Sequence, residues 1–170
     1  IPSSGTKNIE IGSSTAANNF NITLSGNNSS FNMANPYATS YANYNFTGSG
    51  AGTQTISHSA GYIYSGTWTI NKAAGTASLS TNITFAQGIS GPGTCALTLT
   101  NGTFDLNGKN IKIYDAGIGS PGTLAYSQSS GTFQATTGGL AILTTFNQTG
   151  GTFNVPSGGL TVNGSFTKAA

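Results

Sequence analysis

Gly131-Thr132-Phe133-Gln134-Ala135-Thr136-Thr137-Gly138-Gly139-Leu140-Ala141-Ile142 is followed, 20 residues on, by Gly151-Thr152-Phe153-Asn154-Val155-Pro156-Ser157-Gly158-Gly159-Leu160-Thr161-Val162. Phe133-x-Ala135 maps onto Phe153-x-Val155, Leu140-x-Ile142 onto Leu160-x-Val162, and Phe146 onto Phe166. Apolar residues paired across one polar residue have the period of a β-strand, and the Gly, Ser, Asn and Pro between the pairs are turn formers. No segment carries an apolar stripe at helical spacing. A repeat of about 20 residues is too short for a propeller blade and lacks the leucine pattern of a leucine-rich repeat. It suits one rung of a parallel β-solenoid, in which short strands alternate with polar corners and rungs pair about 4.8 Å apart.

The frame extends upstream. Phe104-x-Leu106 and Ile111-x-Ile113 precede Phe133-x-Ala135 and Leu140-x-Ile142 by 29 residues, and the surplus of nine is one turn-rich excursion from Asp115 to Thr123. An earlier unit is expected at Gly66-Thr67-Trp68-x-Ile70, 36 residues before Gly102, with its surplus around residues 87–93. Stacking like on like predicts four inward ladders. Phe104, Phe133 and Phe153 form one, preceded by Trp68 of the earlier unit, and Leu106, Ala135 and Val155 stand beside it. Ile111, Leu140 and Leu160 form another wall, with Ile113, Ile142 and Val162 next to them. Residues 62–167 read as regular repeats and residues 1–61 as irregular first rungs or a cap, within one domain over 1–170. About eight rungs make a rod roughly 40 Å long. The chain stops at Lys168-Ala169-Ala170 directly after a regular rung, as expected of a piece of a longer solenoid or of an edge that meets a neighbouring subunit.

Composition narrows the function. Charged residues are 5% of the 170, against roughly 25% in an average soluble domain, and the five basic residues, all lysine, leave a net charge of +2. A nucleic-acid binder needs a Lys/Arg stripe, and a disordered tail needs many charges. No apolar run reaches the roughly 18 residues of a membrane span. The start, Ile1-Pro2-Ser3-Ser4, lacks a signal-peptide pattern, so a processed product or a fragment is expected. Cys95 stands alone, which excludes an intrachain disulfide and predicts a buried, inert thiol. Sequons begin at Asn21, Asn27, Asn28, Asn45, Asn82, Asn101, Asn147 and Asn163, an acceptor pattern that such a composition also produces by chance.

Catalytic chemistry finds little to work with. Glu10, Asp105 and Asp115 are the three acids; Asp105 faces outward beside Phe104 and Asp115 opens the excursion, so no acid–base pair or metal site is expected, and no cofactor. His58 has hydroxyls nearby but no local carboxylate to orient it, and reads as a surface or hydrogen-bonded histidine. The doublets Gly138-Gly139, Gly150-Gly151 and Gly158-Gly159 lack a following Lys-Ser/Thr and read as corners, not phosphate loops. Tyr37, Tyr41, Tyr44, Tyr62, Tyr64 and Trp68 make the first half aromatic-rich; several alternate at strand spacing, and they read as core or interface. Tyr62, Tyr64 and Trp68 are the alternative candidates for stacking on a sugar.

Gly-Thr-Phe followed by Gly-Gly-Leu-x-Val-Asn-Gly-Ser-Phe-Thr, at 151–167, resembles bacterial and archaeal surface proteins with parallel β-helix stalks, including filamentous-haemagglutinin-like adhesins. The resemblance covers residues 62–167 and implies secretion, an elongated shape and a role in adhesion or a surface fibre; it carries over no catalytic residue. The expectation is an all-β parallel solenoid at the cell surface, a structural subunit of a filament or adhesin stalk. It would assemble end to end with copies of itself by strand-edge pairing. Two alternatives stand beside it: a pilin-like β-sandwich donating Lys7-Asn8-Ile9-Glu10-Ile11 as a strand, and a carbohydrate-binding module.

Overall fold

Alternation of apolar and small polar residues, interrupted every few positions by glycine or asparagine, gives strands and no helix among the described residues. The computed structural model describes residues 20–34, 42–60, 63–64, 66–86, 94–113 and 123–169. In chain order the strands are β1 (Phe20–Leu24), β2 (Ser29–Ala34), β3 (Ala42–Gly48), β4 (Thr53–Ala60), β5 (Ile63–Tyr64), β6 (Gly66–Leu79) and β7 (Ile83–Ala86). There follow β8 (Thr94–Asp105), β9 (Ile111–Ile113), β10 (Thr123–Gln128), β11 (Thr132–Gln134), β12 (Leu140–Gln148), β13 (Thr152–Phe153) and β14 (Leu160–Lys168).

All pairings are parallel and define three walls of a β-solenoid. The first stacks β1, β3, β6, β8, β10, β12 and β14; the second β2, β4, β6, β8, β11 and β13; the third β5, β7, β9, β12 and β14. Parallel coiling in one direction excludes the pilin-like sandwich, whose sheets are built from antiparallel neighbours. The proposed donor strand at residues 7–11 lies outside the described residues.

Register fixes the length of each rung. The inward column of the first wall runs Ile22, Tyr44, Trp68, Leu97, Tyr126, Phe146, Phe166, with steps of 22, 24, 29, 29, 20 and 20 residues. Seven strands span about 29 Å, shorter than the eight equal rungs of the sequence reading because the wider rungs consume more chain. In the second wall Phe104, Phe133 and Phe153 align at the expected offsets of 29 and 20, as do Ile111, Leu140 and Leu160 in the third.

Three placements differ from the sequence reading. Trp68 does not precede Phe104: it pairs with Leu97 in the first wall, and the residue beneath Phe104 is Ala77 of Gly75-Thr76-Ala77. The loss of the aromatic at 77 hides that unit, while Gly66-Thr67-Trp68 imitates it from another wall. Val162 pairs with Leu143 and not Ile142, because the register shifts between Leu140 and Thr145; a bulge has added a residue to that side. Val155 is 65% exposed, since β13 ends at Phe153 and, among the described residues, no further strand pairs with β13.

The core is a stack of rings. Trp68 is fully buried, with its ring centroid 5.7 Å from Phe46, 6.0 Å from Tyr44 and 5.3 Å from Phe85. Phe133 lies 5.9 Å from Phe104, 5.6 Å from Tyr126 and 4.5 Å from Phe153. These offset-stacked and edge-on contacts add about 0.5–1.5 kcal/mol per pair to the burial of apolar area.

Candidate functional site: the corners, the outer faces and the open edge

The corner between the first and second walls repeats a small device. Gly75, Gly102, Gly131 and Gly151 all adopt positive φ (84°, 78°, 73° and 75°), and the threonine after each pairs in register, giving the column Thr53, Thr76, Thr103, Thr132, Thr152. The amide of Thr152 donates to Gly131 O at 2.8 Å, and that of Thr76 to Gly52 O at 3.2 Å.

Inside the corner sits a glutamine. Gln128 Nε2 donates to Gly131 O (3.1 Å) and Thr152 O (3.0 Å), tying one rung to the next, while its Oε1 accepts from Tyr126 Oη at 2.9 Å. Burial pushes the Tyr126 phenol far up, so it stays a donor. Gln148 Nε2 repeats the contact to Gly151 O at 2.9 Å. Gln54 Nε2 donates to the carbonyls of Leu24, Gly26 and Thr47 at 2.7–2.8 Å. Sequence reading missed these residues, yet the signal was present: Gln128 and Gln148 each stand three positions before Gly-Thr-Phe.

Lys72 holds the corresponding place before Gly75-Thr76-Ala77 and is fully buried, with no hydrogen-bond partner for Nζ among the described residues. Desolvation lowers its pKa from the usual 10.5. Below that lowered value both folded and unfolded lysine are charged, and the folded state carries the full penalty. Between it and 10.5 the unfolded chain binds the extra proton, so stability rises with pH. Lys72→Gln, which supplies the amide used at Gln128 and Gln148, is expected to raise the thermal midpoint at pH 7 and to abolish the gain on alkalinisation. A midpoint at pH 7 no higher than wild type, by circular dichroism, would count against this reading.

The asparagines of the sequons do structural work. Asn27 Oδ1 accepts from Gly50 N (2.9 Å), Asn28 Oδ1 from Thr53 N (3.0 Å) and Asn82 Oδ1 from Asn110 N (2.9 Å), each joining neighbouring rungs. Asn27, Asn28, Asn82, Asn101, Asn147 and Asn163 are exposed and Asn45 is half-buried; the side chain of Asn21 is outside the described set.

The remaining candidates are dispersed. Trp68 is sealed in the core and offers no ring to a sugar; Tyr62 and the side chain of Tyr64 lie outside the described residues. His58 is buried rather than superficial, at 7% exposure, its ring Nε2 without a partner among the described residues and its pKa lowered by desolvation. The reason is strand parity: His58 falls in phase with the inward Gln54 and Ile56. Asp105 is half-buried and accepts from Asn107 N at 2.8 Å, capping a turn in which Asn107 itself takes φ 48°. Glu10 and Asp115 are outside the described residues, and among those described no three His, Cys, Asp or Glu gather as a metal set. The Cys95 thiol is buried. Among the described residues no helix is long and apolar enough to cross a membrane.

The open edge is the outer side of β14. Among the described residues it pairs with β12 alone, and Phe166 is 56% exposed while its other face stacks on Phe146 at 4.7 Å and 10°. The class defined by these features is a three-walled parallel β-solenoid with glycine–threonine corners. Compared with known proteins, the chain matches no family model, no curated protein and no solved structure.

Proposed function

We propose that the chain is a structural element of an extracellular filament or adhesin stalk, a rod that transmits load and extends by adding rungs to its edge. The observation that carries this reading is β14: a strand whose outer edge has no partner among the described residues, with the apolar side chains of Phe166 on it and of Val155 after β13 uncovered. Such an edge is a template for strand addition unless something blunts it. The low charge supports the reading as well, because copies approach without strong repulsion. Its mechanism is mechanical: parallel backbone ladders and stacked rings resist bending, and the role asks no catalytic group of the chain.

Electron microscopy of the purified protein tests it. Thin fibres with an axial layer line near 4.8 Å are the expected result, and discrete particles at every concentration would sink the reading. A variant locates the edge. Ala169 N donates to Gln148 O at 2.7 Å, so by strand alternation the amide of Lys168 points to the free side. Lys168→Pro removes that donor without touching the existing ladder, and is expected to leave the circular-dichroism spectrum unchanged while abolishing fibres.

A further inference from the structure

The outward face of the first wall carries a pattern that end-to-end growth does not use. Register aligns Asn45, Thr69, Thr98, Ser127, Asn147 and Thr167 in one column and Thr67, Ala96, Ala125, Thr145 and Ser165 in the next. No member is charged or larger than asparagine. Neighbours along a column are about 4.8 Å apart and neighbours within a rung about 6.6 Å apart, so the face is a two-dimensional lattice of hydroxyl, amide and methyl groups. Most of the middle rungs are half-buried by their neighbours, which makes the face flush, and Ser127 Oγ donates to Thr98 Oγ1 at 3.2 Å along the column. Valine-like branching restricts the threonines at χ1, so the lattice is held by the backbone.

Charge and area decide what fits it. The face spans roughly 24 Å by 10 Å, well under the about 800 Å² per partner of a stable protein interface, and it has no aromatic or arginine anchor. Nucleic acid and anionic membrane both require cations that these columns lack. A sugar-binding platform wants an exposed ring, and Trp68 lies sealed beneath the wall. An uncharged, rigid, periodic partner remains. Hydroxyls and amides that repeat at about 4.8 Å and about 6.6 Å offer water a periodic set of anchors, as docking on the ordered oxygens of an ice surface requires, and ordered bridging water serves nearly as well as a direct hydrogen bond.

We propose that the outer face of the first wall binds ice. Each bound water replaces one lattice oxygen, and the many weak contacts act together because the columns repeat in register. The second wall serves as the internal control: its threonine column is flanked by Thr55, Ser78, Asp105 and Gln134, where a carboxylate and a longer amide break the lattice.

The full chain, cooled in a nanolitre osmometer with a seed crystal, is expected to show a gap between melting and freezing points and faceted crystals. Thr98→Lys and Ser127→Lys, both outward and away from the core, are expected to lose most of that gap with an unchanged thermal melt, while Gln134→Lys on the second wall keeps it. Coincident melting and freezing points with round crystals would overturn the proposal, as would a gap that survives both lysine variants. Fibres formed by a protein without a gap would leave the filament reading standing and this one refuted.

Discussion

Phe133→Ala is expected to destabilise the fold by about 3–5 kcal/mol, the range for deleting a fully buried ring whose site cannot collapse. Phe133 is buried between Phe104 below and Phe153 above, with Tyr126 edge-on at 5.6 Å. All four rings sit on strands locked in register, so neighbours cannot move in to fill the void without breaking ladder bonds. A solenoid is also close to one-dimensional, and its stability is a sum over rungs and the couplings between them. Weakening a middle rung therefore uncouples the segment from β12 onward from the rungs around Trp68. In guanidinium titrations the far-UV signal should fall before the Trp68 fluorescence, which reports the other segment. Phe166→Ala provides the comparison, because that ring is 56% exposed and covered on one face. Equal losses for the two variants would mean that ring burial does not set the coupling.

How legible this was in the sequence depended on whether a rung kept its marker residues. The stretch from Gly131 to Phe166 announced the solenoid because two successive rungs share both length and ladder residues, and Phe133 over Phe153 and Leu140 over Leu160 followed directly. Upstream, Ala77 replaces the aromatic and the corner from Ile70 to Thr76 is two residues longer than that from Leu99 to Thr103, so the frame slid to the wrong Gly-Thr. Interior polar residues were illegible for a different reason. A strand pattern assigns Gln128, Lys72 and His58 to a face by parity alone, and only the neighbouring rung shows whether a carbonyl is within reach. Gln128 finds three carbonyls, whereas Lys72 finds none. For the aromatics, strand spacing favoured core or interface but left a sugar platform open; Trp68 lies in the core because its column is continued by Tyr44 and Leu97, a long-range fact with no local signature.

Gly131→Ala is expected to be nearly as damaging as the loss of Phe133, at about 2–5 kcal/mol from left-handed strain together with overpacking. Gly131 has φ 73°, where a side chain is strained, and its Cβ would be driven into Gly102 O of the rung below. Strain and stacking are separable, because Gly159 also has positive φ (98°) but nothing lies within 4 Å of its would-be Cβ. Gly159→Ala should therefore cost the conformational part alone, about 1–2 kcal/mol. The excess for Gly131 measures how closely consecutive rungs must approach at this corner, since Gly151 stands over Gly131 as Gly131 stands over Gly102. A methyl at 131 lifts one rung from the next, lengthening the bonds from Thr132 and Thr152 that carry the threonine column. Hydrogen exchange is the deciding measurement: protection at Thr132, Phe133 and Thr152 should drop in Gly131→Ala and persist in Gly159→Ala. If the two variants lost equal stability and protection, the corner would be tolerant of spacing, and the glycines would be there for backbone conformation alone.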